Sequence, residues 1–223
     1  MGSLKDSISI NSFNCNGLRD SKKRKCVFDW LKTNHFGISL LQETHSQEID
    51  VKIWEMEWGG EIIFSHGTNQ CRGVAVLLPP TLVEKCKINN IERDQNGRIL
   101  AIDCEIEDNN FIVYNIYAPT KDQYTEQIEF LDYLRNLLQE NQGKNVILGG
   151  YFNTYLNPTL DKKGGKSELE SNHAKQLKSI CEEFDLIDIS RLNNQKEKRF
   201  TWQDNTRACF IQSRLDYFLY HNI

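Results

Sequence analysis

Between residues 61 and 117, four apolar runs follow one another with only turn residues between them: EIIFSH, GVAVLLPP, ILAIDCEIED and NFIVYNIYAP. Runs of this length read as strands, and their close spacing favours antiparallel neighbours. ISINSF (residues 8 to 13) alternates apolar and polar side chains as a half-buried strand should, and ISLLQETH is a short apolar strand ending in polar residues. NVILGG, which falls into two glycines, reads as a buried strand delivering side chains to a turn. Three segments carry the helical period instead. KRKCVFDWLKTNH sets Val27, Phe28 and Leu31 on one face before Gly37, and residues 125 to 141 align Ile128, Leu131, Leu134 and Leu138. SNHAKQLKSICEEF follows a Ser N-cap with Ala174, Leu177, Cys181 and Phe184. LIDI, RFTWQ, ACFIQ and RLDYFLY close the chain as short strands. Strands with helices between some of them imply a layered α/β or α+β architecture in which helices cover the sheets.

Composition bounds the function. At 223 residues with 39% hydrophobic content, and with no Pro/Gly/Ser-rich linker, repeat or low-complexity tract, residues 1–223 are expected to form a single domain. A net charge of −4 and a pI near 5.8 lack the basic signature of a protein that holds nucleic acid through bulk electrostatics. That leaves room for transient contact through a local patch and a metal ion. Lys22, Lys23, Arg24 and Lys25 form one basic run and Lys162, Lys163 and Lys166 another, and each reads as a solvated helix end or loop. The seven cysteines (Cys15, Cys26, Cys71, Cys86, Cys104, Cys181, Cys209) never form a close zinc-type pair and read as small core residues of a reducing compartment. With neither a long apolar run nor the apolar stretch of a signal peptide, the expectation is an intracellular protein, nuclear or cytoplasmic, with no membrane partner.

Several strand ends carry the same class of residue. The first ends in Asn14 and Asn16, LLQETH in Gln42 and Glu43, YNIYAP in Asn115 and Tyr117, and GGYFN in Asn153, while SRLDY adds Ser213 and Asp216. Each alone has a structural explanation, since Asn and Asp favour turns for local hydrogen-bonding reasons. As a set they suit phosphate chemistry. Mg²⁺ takes one or two protein carboxylates plus waters and substrate phosphate oxygens, and amides or a tyrosyl hydroxyl hold phosphate without adding negative charge.

In order along nearly the whole chain, NSFNCNGL, LLQETH, GVAVLL, YNIYAP, GGYFNT, DLIDI, FTW and SRLDY resemble the endonuclease/exonuclease/phosphatase superfamily. Within it they resemble the apurinic-endonuclease-like domain of non-LTR (LINE-type) retrotransposons. The resemblance implies an α+β fold, a four-layer α/β sandwich of two packed mixed β-sheets flanked by helices, with the site at one end. It implies Mg²⁺, with Mn²⁺ as a substitute, held by Glu43 with help from Asn14, and DNA as the substrate. Asn16 would lie in the same turn as Asn14. Tyr117 would hydrogen-bond the scissile phosphate and Asn153 would orient phosphate or the attacking water. Thr201 and Ser213 fall where the family contacts DNA or supports the site, and Asp216 where it steers a catalytic histidine. Intact members would nick target DNA to prime reverse transcription, although no reverse transcriptase segment lies in these residues.

Two departures stand out. The family's turn reads Gly-Asp-Phe-Asn, whereas Tyr151 occupies the Asp position here, and a phenol is a poor general base at neutral pH. The chain also stops at YFLYHNI, before the family's C-terminal strand and Ser-Asp-His motif, and His221 follows Asp216 too closely to replace that histidine. The expectation is a nuclease impaired in this copy. Its rivals are an inactive DNA- or protein-binding relic and a phosphatase of the same superfamily.

Overall fold

The computed structural model describes residues 8–34, 37–120, 122–165, 171–204 and 210–221. Lys166, Cys209, the N-terminal MGSLKDS and the first two residues of ACFIQ lie outside them. Two compact units divide the chain, Met1–Asn109 and Asn110–Ile223.

The first unit contains β1 (Ile10–Asn14), α1 (Ser21–Thr33), β2 (Ile38–Gln42), α2 (Val51–Trp58), β3 (Glu61–Ser65), β4 (Val74–Leu78), α3 (Pro80–Val83), β5 (Cys86–Arg93) and β6 (Ile99–Ile106). Its mixed sheet has the order β1-β2-β4-β3, with β1 parallel to β2 and the remaining pairs antiparallel. β5 and β6 pair antiparallel, with a register shift between Ile88 and Asn90. The inner strands ISLLQ and VAVLL are buried along their whole length, which explains why VAVLL is wholly apolar and only Ser39 and Gln42 interrupt ISLLQ. Gln42, fully buried at the end of β2, donates to the Ser12 hydroxyl (3.1 Å) and to the Leu40 carbonyl (3.1 Å). α1 starts at Asp20, whose carboxylate accepts from Lys23 N, and buries Phe28 and Leu31, while Val27 packs at the margin and Arg24 takes a buried place. α2 presents Trp54 and Trp58, four residues apart, to the core formed with Phe28, Leu41, Phe64 and Leu77, and stops at Gly59 in the left-handed region (φ 81°).

The second unit continues β7 (Asn109–Tyr117) and adds α4 (Tyr124–Glu140), β8 (Val146–Tyr151), α5 (Pro158–Asp161), β9 (Lys162–Lys163), α6 (Asn172–Glu183), β10 (Ile187–Asp188), α7 (Ile189–Asn193), β11 (Trp202–Asp204), β12 (Ile211–Ser213) and β13 (Asp216–His221). Its strands run β10-β13-β8-β7, with β7 parallel to β8 and the others antiparallel, and β11-β12-β9 form a small separate sheet. α4 buries Phe130, Leu131, Leu134, Leu137 and Leu138, leaving Ile128 half-buried. α6 is capped by Ser171, whose hydroxyl accepts from Ala174 N (3.1 Å). It buries His173, Ala174, Leu177 and Ile180, so its stripe lies one residue off the expected Cys181 and Phe184, which are half-buried. LIDI is not one strand. Asp188 ends the two-residue β10 and caps α7, its Oδ1 accepting from Ser190 N and Arg191 N. The protein is thus mixed α/β, with two main mixed sheets and helices. Among the described residues no helix is long and apolar enough to cross a membrane. Cys15 and Cys104 are the cysteines that reach the core, and all six described cysteines are free thiols.

Candidate active site

In the first unit, β1 and β2 end together at the register pair Asn14 and Gln42, so the chain segments that follow leave the sheet side by side. Cys15 N donates to Gln42 O (2.8 Å), Gly17 N to Glu43 O (2.6 Å) and Leu18 N to Thr44 O (3.0 Å). This lacing brings Asn14 onto Glu43, with Nδ2 donating to Oε1 over 2.8 Å. The other end of the amide is engaged too, since Asn14 Oδ1 accepts from Asn16 N (3.0 Å). Asn14 therefore orients the Glu43 carboxylate, and exposed Asn16 closes the same turn. Asn16 (φ 45°), Glu43 (φ 51°) and His45 (φ 55°) all occupy the left-handed region, which costs an L-residue about 1 to 2 kcal/mol and is held here by those cross-segment bonds. Gly17 is required where it stands: at φ 84°, an added Cβ would meet His45 Nδ1 at 2.9 Å.

His45, quoted within LLQETH but given no role by the sequence reading, turns its ring to Glu43. Its Nε2 lies 3.8 Å from Glu43 Oε2, is buried, and has no hydrogen-bond partner among the described residues. The half-buried Glu43 carboxylate, held by one amide, is an oxygen donor of the kind a hard divalent cation takes alongside water, whereas the adjacent ring nitrogen is not a donor such an ion prefers. Among the described residues there is no group of three His, Cys, Asp or Glu side chains that could hold a metal.

In the second unit, Tyr151 ends the central strand β8. Its register partners are Tyr117 on β7 and Asp216 on β13, so the three side chains share one face. The Tyr117 and Tyr151 rings are tilted 31° with centroids 6.2 Å apart, and Tyr151 is buried. Past the strand, Ala118 N donates to Tyr151 O (2.8 Å), Phe152 N to Leu215 O (2.8 Å), and Asn153 Nδ2 to Ala118 O (2.7 Å). Asn153 also sits at positive φ (53°). Gly150 makes the approach to this turn possible, since its φ is 139° and a Cβ there would fall 2.1 Å from Ile116 O. Thr201, exposed, accepts at Oγ1 from Leu215 N (3.0 Å) and Asp216 N (3.2 Å), and its own N donates to the carbonyl of buried Ser213 (3.0 Å). Burial pushes the Asp216 carboxyl up to about 6, against the lowering effect of Thr201. His221 pairs with Val146 at the far end of β13, five residues and about 17 Å along the strand from Asp216.

The sequence reading missed a buried ionic cluster behind Asp216. Arg214 Nε donates to Asp161 Oδ1 (2.9 Å), and its Nη2 to Asp188 Oδ2 (2.6 Å). Arg191 also bonds Asp161, which is fully buried. The Arg214 guanidinium lies 4.3 Å from the Tyr217 ring centroid, and the Tyr217 hydroxyl donates to Arg214 O and accepts from Leu156 N (2.9 Å each). Burial opposes the charge of Arg214, but the two aspartates outweigh it and raise its pKa. The only sequence trace is an arginine inside SRLDY and an aspartate in DLIDI.

This is a mixed α/β fold of the AP-endonuclease type. It superposes on an AP endonuclease from Leishmania major with a TM-score of 0.77 (13% identity, covering 96% of this chain and 79% of that one). An AP endonuclease from Archaeoglobus fulgidus gives 0.73 (18% identity, 96% and 86%), and the Xenopus laevis APE2 catalytic domain gives 0.74 (21% identity, 95% and 81%). Residues 11–222 match the Endonuclease/Exonuclease/phosphatase family, and the chain belongs to it. The family uses a divalent metal to hydrolyse phosphate esters. In sequence the chain is 27% identical over 210 residues to the transposon TX1 uncharacterized 149 kDa protein of Xenopus laevis, covering 94% of this chain but only 16% of that protein.

Proposed function

We propose that this chain is the endonuclease domain of a non-LTR retrotransposon, a metal-dependent phosphodiesterase built to nick target DNA and leave a 3′-hydroxyl for reverse transcription. The observation that carries this reading is the Asn14–Glu43 bond at paired strand ends, within a chain of this family and with transposon-like sequence. Residues 1–223 then act as one domain, a sandwich of two sheets flanked by helices. Glu43 holds Mg²⁺ or Mn²⁺, with its carboxylate aimed by Asn14 and the turn closed by Asn16. Bound metal would neutralise phosphate charge and acidify the attacking water. Tyr117 donates to the scissile phosphate and Asn153 orients phosphate or water. Thr201 and Ser213 support the DNA-facing segment, and Asp216 marks the position of the histidine-steering carboxylate.

The buried phenol of Tyr151 supports a second element of the reading, that this copy is impaired. A general base contributes about 10²- to 10⁴-fold in rate, and a phenol with a pKa near 10 supplies little of it at neutral pH. The same observation favours, as the alternative, a relic that binds DNA without cutting it. The test is nicking of supercoiled plasmid by this chain and by Tyr151→Asp, with Mg²⁺ and with chelator. Chelator-sensitive nicking by the variant alone is the expected result. Parent nicking at the variant's rate removes the impairment. Gel-shift binding with no cleavage by either protein favours the relic.

A further inference from the structure

Behind Glu43, and in the same unit, lies a chain of hydrogen bonds that the roles above do not use. Thr44 and Ser46 are both fully buried. The Thr44 and Ser46 hydroxyl oxygens are 3.0 Å apart, Ser46 Oγ is 3.0 Å from His66 Nδ1, and His66 Nε2 is 3.2 Å from Glu48 Oε2. With the imidazole proton on Nε2, the nitrogen that faces the Glu48 carboxylate, Nδ1 is free to accept. Nδ1 then accepts from the Ser46 hydroxyl, and Ser46 in turn accepts from Thr44. In that tautomer the bonds from Thr44 through Ser46 to His66 run in one direction.

The series is anchored at the histidine. The His66 ring stacks on buried Phe64 with centroids 5.1 Å apart and planes 19° apart, which fixes where Nδ1 points. Glu48 is 91% exposed and contributes little energy, so its role reduces to favouring one tautomer. At the other end, Thr44 Oγ1 occupies the space over Gly73, where an added Cβ would meet it at 2.6 Å. Ser, His and Glu in line have the composition of a nucleophilic triad, but a fully buried Ser46 is closed to any substrate.

The place of Thr44 gives the series its purpose. It separates Glu43 and His45, two non-glycine residues held at positive φ. Backbone bonds pin this stretch from both sides, Leu18 N to Thr44 O (3.0 Å) and Thr44 N to Gly73 O (2.9 Å), and the side chain supplies the remaining constraint. Releasing the Thr44 hydroxyl removes a side-chain constraint on the residue next to Glu43, whose other restraints are the bond from Gly17 N to its carbonyl and the Asn14 amide.

We propose that His66, acting through Ser46 and Thr44, is a positioning residue for Glu43 and sets the divalent-metal affinity of this chain. The inference rests on the reading of Glu43 as metal ligand. It is tested by Mn²⁺ titration of the whole chain without DNA, followed by electron paramagnetic resonance, for wild type, Glu43→Gln, His66→Phe and the double variant Ser46→Ala/His66→Phe. Phenylalanine keeps the stack on Phe64 but strands the Ser46 hydroxyl, and the double variant removes that hydroxyl while leaving the buried Thr44 hydroxyl without its acceptor, so its melting temperature recovers only in part. Mn²⁺ should bind about tenfold more weakly to both His66 variants, as for loss of an outer-shell partner. Wild-type affinity in His66→Phe overturns the inference. So does a double variant that recovers affinity along with stability, since the effect would then be folding alone. Should the single variant fail to fold, the double variant decides by the same criterion. If wild type and Glu43→Gln bind Mn²⁺ alike, the metal-ligand reading itself fails and takes this inference with it.

Discussion

Replacing Asp216 with Asn should expose an acid-labile step that the intact protein conceals. Buried His173 and half-buried Asp216 titrate in opposite senses. His173 is 4% exposed, neither ring nitrogen has a hydrogen-bond partner among the described residues, and burial lowers its pKa to about 4. Its folded value lies below the unfolded value of about 6.5, so the stability it permits is present above that pH and is lost as pH falls through 4. A difference of about 2.5 units corresponds to about 3 kcal/mol. Asp216 does the reverse. Burial raises it to about 6, above an unfolded value of about 3.9, so its contribution is present below pH 3.9 and is lost as pH rises through 6. That again is about 3 kcal/mol, and between pH 4 and 6 the two nearly cancel. Asp216→Asn removes one side of the balance. Urea unfolding at pH 7, 6, 5 and 4 should show the variant losing about 3 kcal/mol relative to wild type across that range. His173→Phe should gain relative stability over the same interval. Wild type and Asp216→Asn curves that stay parallel from pH 7 to pH 4 would refute the reasoning.

Arg214→Met should destabilise the protein by about 3 to 5 kcal/mol in urea unfolding, because it strands the carboxylates of Asp161 and Asp188 with one cation fewer. Gly150→Ala should cost more than about 3 kcal/mol or abolish soluble expression, since its Cβ would lie 2.1 Å from a backbone oxygen that has nowhere to go. Ser171→Ala should cost about 1 kcal/mol by the same measurement, through loss of the α6 cap.

What the sequence disclosed follows the range of the interactions involved. β2, β4 and β8 carry short, mainly apolar runs, and α4 spans 17 residues, enough turns for its stripe to show. α2 escaped because eight residues give its Val51, Trp54 and Trp58 stripe only two turns in which to show, and β5 because CKINNIER is polar and its alternation is broken by the shift at Ile88 and Asn90. The strand-end residues were legible as motifs, since each sits beside its own strand. The partners that fix them were not. Arg214 meets Asp188 and Asp161 across 26 and 53 positions, and Ser46 meets His66 across 20, separations that no local pattern encodes.

Tyr151 shows how closely fold and chemistry are set against each other. It shares a sheet face with Asp216 as a register partner, where Cβ atoms stand about 5 Å apart. An aspartate at 151 would put two carboxylates side by side, a repulsion of about 3 kcal/mol at an effective dielectric of 20. It would also push the Asp216 pKa above its present value of about 6. The phenol removes that repulsion along with the base, and its buried ring packs against Tyr117. Tyr151→Asp should therefore be less stable than wild type at every pH, with the deficit about 3 kcal/mol larger at pH 8 than at pH 5, where one carboxyl is protonated. Urea midpoints at the two pH values measure the difference. Equal deficits would mean that residues 151 and 216 do not share a face, and the pairing that aligns Asp216 with the Tyr151 turn would have to be redrawn.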